Sequence, residues 1–429
     1  MTTAHQDADV LVVGAGPAGS AAGHYLARLG HKVIVLEKST FPRDKVCGDG
    51  LTPGAVRELI RMGVPMDPAD GWMRNKGLRV IGGGHEIHLP WPETHSYPNY
   101  GMAKARTSFD ETLARHAQQT GAELREGTTA TAPILNERSG RILGVRARGT
   151  NDDGTRGEEY ELRAPIVIEA GGVAARIATA MGVEKDEKRP MGVAVRTYFR
   201  SPRHDDEWME SQLELWDGPR ERSNLLPGYG WIFALGDGSV NVGLGSVSST
   251  ARPTKLDYKD IFRTWMRNAP ESWEFAPENQ LAPLRSAALP MAFNRQPLYG
   301  KGLILVGDAG GMISPFNGEG IAYALMAGRI AADVSAQALA RANAYGHEKA
   351  LRAYPDAMKA ELGGYYSLGR VFVKLIEHPS VMRVCTKYGL PRPTLMRFVH
   401  KLLSDGYERR GGETLDRLIV ALSKVAPAA

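Results

Sequence analysis

Apolar residues fall into two rhythms along this chain, and the change between them predicts the architecture. Uninterrupted, largely β-branched runs at Val10–Val13, Val33–Leu36, 166–168 and 303–306 suit strands buried on both faces of a parallel sheet. Helical spacing lies between them. Ala22, Tyr25, Leu26 and Leu29 share one face after the first run. Phe109, Leu113 and Ala117 do the same further on, with Thr107 or Ser108 as the cap and Arg106 just ahead of it. Thr52-Pro53 is a good cap and first-turn pair for another helix. Residues 124–130 and 143–148 alternate as strands, and Asn151-Asp-Asp-Gly154 reads as a hairpin turn.

From about Gly192 the rhythm becomes that of antiparallel strands, over 193–199, 212–216, 229–235 and 239–244, with 236–238 turning between the last two. The parallel texture returns at 302–309. An Ala-rich helix follows over 321–339, and beyond Tyr345 the pattern is helical throughout. The expected fold class is α/β: a Rossmann-type dinucleotide-binding domain, an inserted antiparallel-sheet substrate domain and a helical C-terminal region. The expected divisions are 1–190 and 296–345 for the cofactor domain, 191–295 for the sheet and 346–429 for the helices.

Composition changes this picture little. The chain has 429 residues, 43% of them hydrophobic and 24% charged, and no run of eighteen apolar residues, which argues against a transmembrane helix. Residues 1–7 are polar and lead straight into the first strand, leaving no room for a secretory signal. Cys47 and Cys385 lie far apart, the histidines show no metal spacing, and no metal site is expected; the cytoplasm is the default compartment. A net charge of +5 does not call for nucleic acid.

The first strand runs directly into Gly14-x-Gly16-x-x-Gly19, and the second ends on Glu37. Gly14 makes the tight turn, Gly16 admits a pyrophosphate to the backbone, and Gly19 lets helix and strand pack closely. The helix N-terminus offers free N–H groups to the phosphates, and a carboxylate at Glu37 suits an adenosine ribose. A second element near residue 307 argues for FAD. Asp308, at a strand end, suits a ribityl hydroxyl, and the turn Gly318–Ile321 would aim helix N–H groups at the pyrimidine edge of a flavin. Alone, Asp308 would read first as a helix cap; paired with the glycine loop it reads as an FAD contact.

Together, the glycine loop, Gly307-Asp308 and Arg106 resemble the flavin hydroxylase fold. Lys45-Val-Cys-Gly-Asp-Gly50 and Pro227-Gly-Tyr-Gly-Trp-Ile-Phe233 with Asn241-Val-Gly243 narrow the resemblance to the geranylgeranyl reductase family, over roughly residues 8–340. That resemblance implies saturation of isoprenoid double bonds by reduced FAD. It also implies FAD contacts at Glu37, Cys47, Gly48, Gly50, Arg106, Ala130, Asp308, Gly320 and Ile321. Two departures stand out: Glu169-Ala-Gly-Gly replaces the Asp-Gly pair common in flavin hydroxylases, and Ala234-Leu235 stands where many relatives carry Pro. Asp49 lies at a position that varies among relatives.

An isolated alkene is a poor hydride acceptor, so the site must press a reduced flavin against it and supply a proton. Tyr229, Trp231 and Phe233 alternate on one strand face as a candidate aromatic floor, or as an ordinary packed core face. Cys47 is a candidate for substrate or flavin contact, or a small buried hydrophobe; Tyr229 is the other candidate proton donor. The expected substrate is a prenylated quinone, menaquinone first on overall resemblance, then geranylgeranyl diphosphate or another prenyl lipid. A flavin monooxygenase or halogenase and a non-enzymatic isoprenoid carrier remain alternatives, although the Trp-x-Trp-x-Ile-Pro stretch usual in halogenases is absent. The external reductant, for which NADPH is one candidate, and the oligomeric state stay open.

From Arg370 to Lys424 there are eleven Lys/Arg against five Asp/Glu. Residues 371–376 and 395–403 are apolar stretches flanked by Lys374, Arg383, Lys387, Arg392, Arg397 and Lys401. They are expected to make peripheral contact with the inner face of the cell membrane, or else to form a helical cap over the substrate sheet.

Overall fold

The computed structural model describes residues 6–151, 153–219, 222–248 and 256–426. Residues 1–5, on which the signal-sequence reading partly rests, and Asp152 of the hairpin turn lie outside these. A six-stranded sheet runs in the order Tyr299–Gly300, Leu303–Leu305, Ile166–Glu169, Val10–Val13, Val33–Leu36, Glu123–Arg125. All its pairings are parallel except that of the short edge strand Tyr299–Gly300. Its central strands are the apolar runs, sealed on both faces as uninterrupted hydrophobicity requires.

Helices Pro17–Arg28 and Ile321–Leu339 pack side by side on one face. A Cβ at Gly328 would stand 2.3 Å from the Ala18 carbonyl oxygen, so only glycine permits this approach. On the other face lies a three-stranded antiparallel sheet of Thr128–Leu135, Ile142–Thr150 and Arg156–Arg163.

The second large sheet has seven strands in the order Arg285–Pro290, Met191–Arg200, Ser239–Ser248, Gly228–Ala234, Trp208–Gln212, Gly77–Gly82, His85–Pro90. Two of these strands come from before residue 100, so the sheet is sewn together from distant segments. The C-terminal helices lie against this sheet and against the cofactor domain. The Leu403 carbonyl accepts from Asn317 Nδ2 (2.9 Å) and from the Tyr365 hydroxyl (3.3 Å). Gly369 passes so close to Pro315 that a Cβ would come within 2.3 Å of its ring.

Several local expectations shift. Leu29 falls past the helix end and is 54% exposed. Helix Arg106–Thr120 starts at Arg106 itself, and Ser108 Oγ donates back to the Ala105 carbonyl instead of capping. Residues 124–130 divide into two strands at Gly127, whose φ of +61° ends the first. The strand expected at 212–216 is Trp208–Gln212. Its partner Gly77–Gly82 turns away at Gly83 and Gly84, both at positive φ, so the ladder has no further edge to pair with.

Candidate active site

The glycine loop has the geometry its spacing predicts. Gly14 sits at φ +103°, and a Cβ at Gly19 would lie 1.8 Å from the Gly14 carbonyl oxygen. Gly16 is different: its missing Cβ faces open room, with Arg43 Nη2 nearest at 3.7 Å. Helix Pro17–Arg28 carries no side-chain cap, which leaves its first N–H groups for a ligand. Glu37 is buried beside the loop; its Oε2 accepts from Ala15 N (3.1 Å) and Arg43 Nη2 (3.2 Å), and its Oε1 from Ser39 N (3.1 Å). Thr128 N donates to the Glu37 carbonyl, so the strand bearing Ala130 starts beside the same acid.

At the other end of the sheet, Asp308 lies inside the turn Gly307–Gly310 and caps no longer helix. Its Oδ2 is 3.4 Å from Lys45 Nζ, and its Oδ1 would be 3.5 Å from a Cβ at Gly320. Gly320 opens helix Ile321–Leu339, again without a side-chain cap, after Gly318 at φ +75°. Two uncapped helix N-termini, an open glycine at the first of them, the buried Glu37 at one end and the half-buried Asp308 at the other fit a dinucleotide as long as FAD. Gly14, Gly16, Gly19 and Glu37 would hold its adenosine and phosphates; Asp308, Gly318, Gly320 and Ile321 would hold its flavin half.

Arg106 is not free. It forms two bonds to Asp110 (2.6 and 2.8 Å), which also takes Arg43 at 2.8 Å. Burial works against its charge, but Asp110 and Cys47 outweigh burial and hold the guanidinium well above its ordinary range. Glu169, at the departure noted above, accepts the N–H groups of Gly171, Ile177 and Ala178 and so anchors the short helix Arg176–Ala180.

The loop carrying Cys47, Gly48 and Gly50 lies directly on the aromatic residues. A Cβ at Gly48 would reach Phe233 at 3.2 Å and Trp231 Nε1 at 3.4 Å; one at Gly50 would reach Phe233 at 3.2 Å and strike Met209. Tyr229, Trp231 and Phe233 share a face, with centroids 6.2 and 6.3 Å apart. Trp231 is paired directly across the ladder with Gly243, over which its ring lies. The Tyr229 hydroxyl donates to the Asn317 carbonyl at 2.6 Å; burial, then Glu319 and Cys47, push its proton affinity upward.

Asn241 joins these parts. Fully buried, it accepts from Trp231 Nε1 (2.8 Å) and donates to the Cys47 carbonyl (2.8 Å) and Asp49 Oδ2 (2.8 Å). Asp49 also takes the Tyr198 hydroxyl (2.7 Å) and Arg106 N (3.3 Å), while its own N–H points to Cys47 Sγ (3.5 Å). Burial lifts the Asp49 carboxyl to about 6 despite the bonds from Asn241 and Tyr198. Sequence reasoning assigned no role to Asn241, Tyr198, Arg43 or Asp110. The available signal was Asn241, a polar residue on a strand whose neighbours are Val240 and Val242.

Such a fold, with its glycine loop and two uncapped helix ends, defines a flavoprotein built on an FAD-binding Rossmann domain with a second, antiparallel sheet. A model of the FAD binding domain family matches residues 7–333. A menaquinone reductase of Mycobacterium tuberculosis is 36% identical over 425 residues, covering 96% of this chain and 97% of that protein. Digeranylgeranylglycerophospholipid reductase 2 of Methanopyrus kandleri is 27% identical, covering 92% and 99%. Among solved structures, a geranylgeranyl bacteriochlorophyll reductase-like protein from Thermoplasma acidophilum superposes with a TM-score of 0.71 at 23% identity, covering 92% and 99%. The chain belongs to the menaquinone and geranylgeranyl reductase family of FAD-dependent oxidoreductases.

Proposed function

We propose that this enzyme saturates carbon–carbon double bonds in the isoprenoid side chain of menaquinone at a membrane surface. Bound reduced FAD would supply the hydride. The chain's own part is to lay the alkene flat, exclude water and provide a proton. Tyr229, Trp231 and Phe233 suit the first task, held in register by Asn241. The Cys47–Gly50 loop suits the second.

The observation that carries the reading is an unbroken run of apolar packing from the aromatic face to the C-terminal helices. Trp91, Ala194, Met209, Trp231 and Phe233 form one buried cluster, which meets Leu78. Leu78 also touches a second cluster of Val80, Leu89, Leu390 and Met396 under the C-terminal helices. Beyond it Val384, Tyr388 and Leu395 are exposed, among the exposed cations Lys374, Arg383, Lys387, Arg392 and Arg397. Lys401, grouped with these in sequence, is buried and pairs with Asp416 (2.7 Å) and Glu413 (2.6 Å), so it belongs to the core. Phe372, Phe398 and Leu403 likewise turn inward. No helix among the described residues is long and apolar enough to cross a membrane. A peripheral mode suits a polyprenyl chain that stays in the bilayer, each surface cation adding about 1 kcal/mol on anionic lipid.

The test is anaerobic. Flavin bleached by reductant is mixed with menaquinone in anionic vesicles, and the product is weighed by mass spectrometry. Reoxidation with a gain of two hydrogens in the side chain is expected. Flavin that stays reduced with every prenylated lipid refutes the reading.

A further inference from the structure

The sequence offers Cys47 and Tyr229 as proton donors for the alkene. Tyr229 is poorly suited, since its hydroxyl is spent on the Asn317 carbonyl and it holds its proton more tightly than usual. Another acid lies on the same loop. Glu319 sits between Gly318 and Gly320, where the flavin's pyrimidine edge is expected. Its Oε1 accepts from Thr52 Oγ1 at 2.5 Å. Its Oε2 is shut off from solvent and has no hydrogen-bond partner, the nearby Asn317 amide donating to the Leu403 carbonyl instead. An ionised carboxylate there would leave a buried charge unmatched, whereas a carboxylic acid with the proton on Oε2 leaves Oε1 free for Thr52.

Among the charged and titratable groups around it, Asp405 from the loop after helix Pro393–Leu403 is an acid; Tyr229, Tyr323 and Tyr366 come from the sheet and two helices. None is a cation. Asp405 is itself engaged by Arg409 at 3.2 Å.

We propose that Glu319 stores the proton consumed when the double bond is saturated. This rests on the prenyl-reductase reading. Reduced FAD, held as above, would supply a hydride, with both electrons, to one alkene carbon. The Glu319 proton goes to the other, the π bond is consumed, and the Glu319 carboxylate is reloaded from water. Burial, helped by Asp405 and opposed by Thr52 and Asn317, lifts the Glu319 carboxyl to about 7, so the acid form is available at neutral pH.

E319Q keeps the side chain's shape and its acceptor for Thr52 but has no acidic proton. Reduction of its bound flavin by dithionite should match wild type, while reoxidation by menaquinone should slow by about a hundredfold or more. In wild type the reoxidation rate should fall as pH rises through about 7, as the acid is lost. T52V removes a bond that favours the carboxylate, so that limb should move to higher pH. Infrared difference spectra of the apoproteins supply an activity-free readout: at pH 6 wild type should show a protonated carboxyl band beyond those E319Q keeps, Asp49 among them. E319Q reoxidised within threefold of wild type, an unmoved limb in T52V, or no such band overturns the proposal. If E319Q does not fold, the T52V limb decides. Wild-type flavin that no prenylated lipid reoxidises strikes the function instead, and the infrared band then decides alone whether Glu319 stores a proton.

Discussion

Replacing Asn241 by Ala should loosen the site by unpairing several buried groups together. Three hydrogen bonds of 2.8 Å disappear at once. Trp231 Nε1–H and the Cys47 carbonyl are left without those partners, at about 1–3 kcal/mol for each buried polar group. Asp49 keeps Tyr198 and Arg106 N, so its share is smaller. Allowing for partial relaxation, the loss is about 4 kcal/mol, a large part of a stability of roughly 5–15 kcal/mol. With an unfolding entropy of about 2.1 cal/mol/K per residue, a chain this long loses about 1 °C of Tm per kcal/mol, so a fall of about 4 °C is expected.

The pH dependence is a second signature. Asp49 titrates near 6 in the folded chain and near ~3.9 unfolded, and removing the Asn241 donor raises the folded value further. Between the two values the native state binds a proton the unfolded chain lacks, so stability drops as pH rises through that window. The gap between wild type and N241A should therefore be wider at pH 8 than at pH 5. Thermal unfolding followed by flavin fluorescence and circular dichroism measures both effects. A fall below about 1 °C with no widening would show that Asn241 merely fills space.

Glu37→Ala should weaken FAD by about 1.5–3 kcal/mol, the scale of a lost charge-assisted bond, while Arg43 stays compensated by Asp110; titration of apoprotein with FAD reads it. Trp231→Ala should keep bound flavin yet lose prenyl-chain reduction, since no cofactor-binding segment contains it; loss of flavin with unchanged turnover per bound FAD would contradict the floor. Glutamine at Lys374, Arg383, Lys387, Arg392 and Arg397 should abolish flotation on anionic liposomes, wild-type binding falling with salt. Equal flotation on neutral vesicles would leave the helices as a cap. Lys401→Met, by contrast, should leave lipid binding unchanged and lower Tm, because it strands Asp416 at 3% side-chain exposure.

Much of the cofactor half was legible because its chemistry is local. Gly14, Gly16, Gly19 and Glu37 lie within one strand-turn-helix-strand unit, and their spacing alone puts them around one cleft. Elsewhere the deciding contacts join residues far apart in sequence. Arg43, Asp110 and Arg106 form one ion cluster drawn from a loop and a helix. Asn241 reaches back 194 positions to the Cys47 carbonyl. Strands Gly77–Gly82 and His85–Pro90 have no local mark that sends them to a sheet built mainly after residue 190. Boundaries such as 212–216 failed because strand ends are set by where the partner turns away. Arg106 was misplaced by one position for a similar reason: backbone alone starts that helix, with no side-chain cap to read.

The Leu403 carbonyl has a consequence for how this protein can be cut. It is shared by Asn317, on the turn beside Glu319, and by Tyr365 of the tail. The family match ends at residue 333, yet that turn is buttressed by residues seventy positions further on. A version trimmed to the matched region would expose Phe316 and Tyr323 and strip the turn of its brace. Tail and turn form one heritable unit: a tail taken from a relative would have to bring with it the turn it braces.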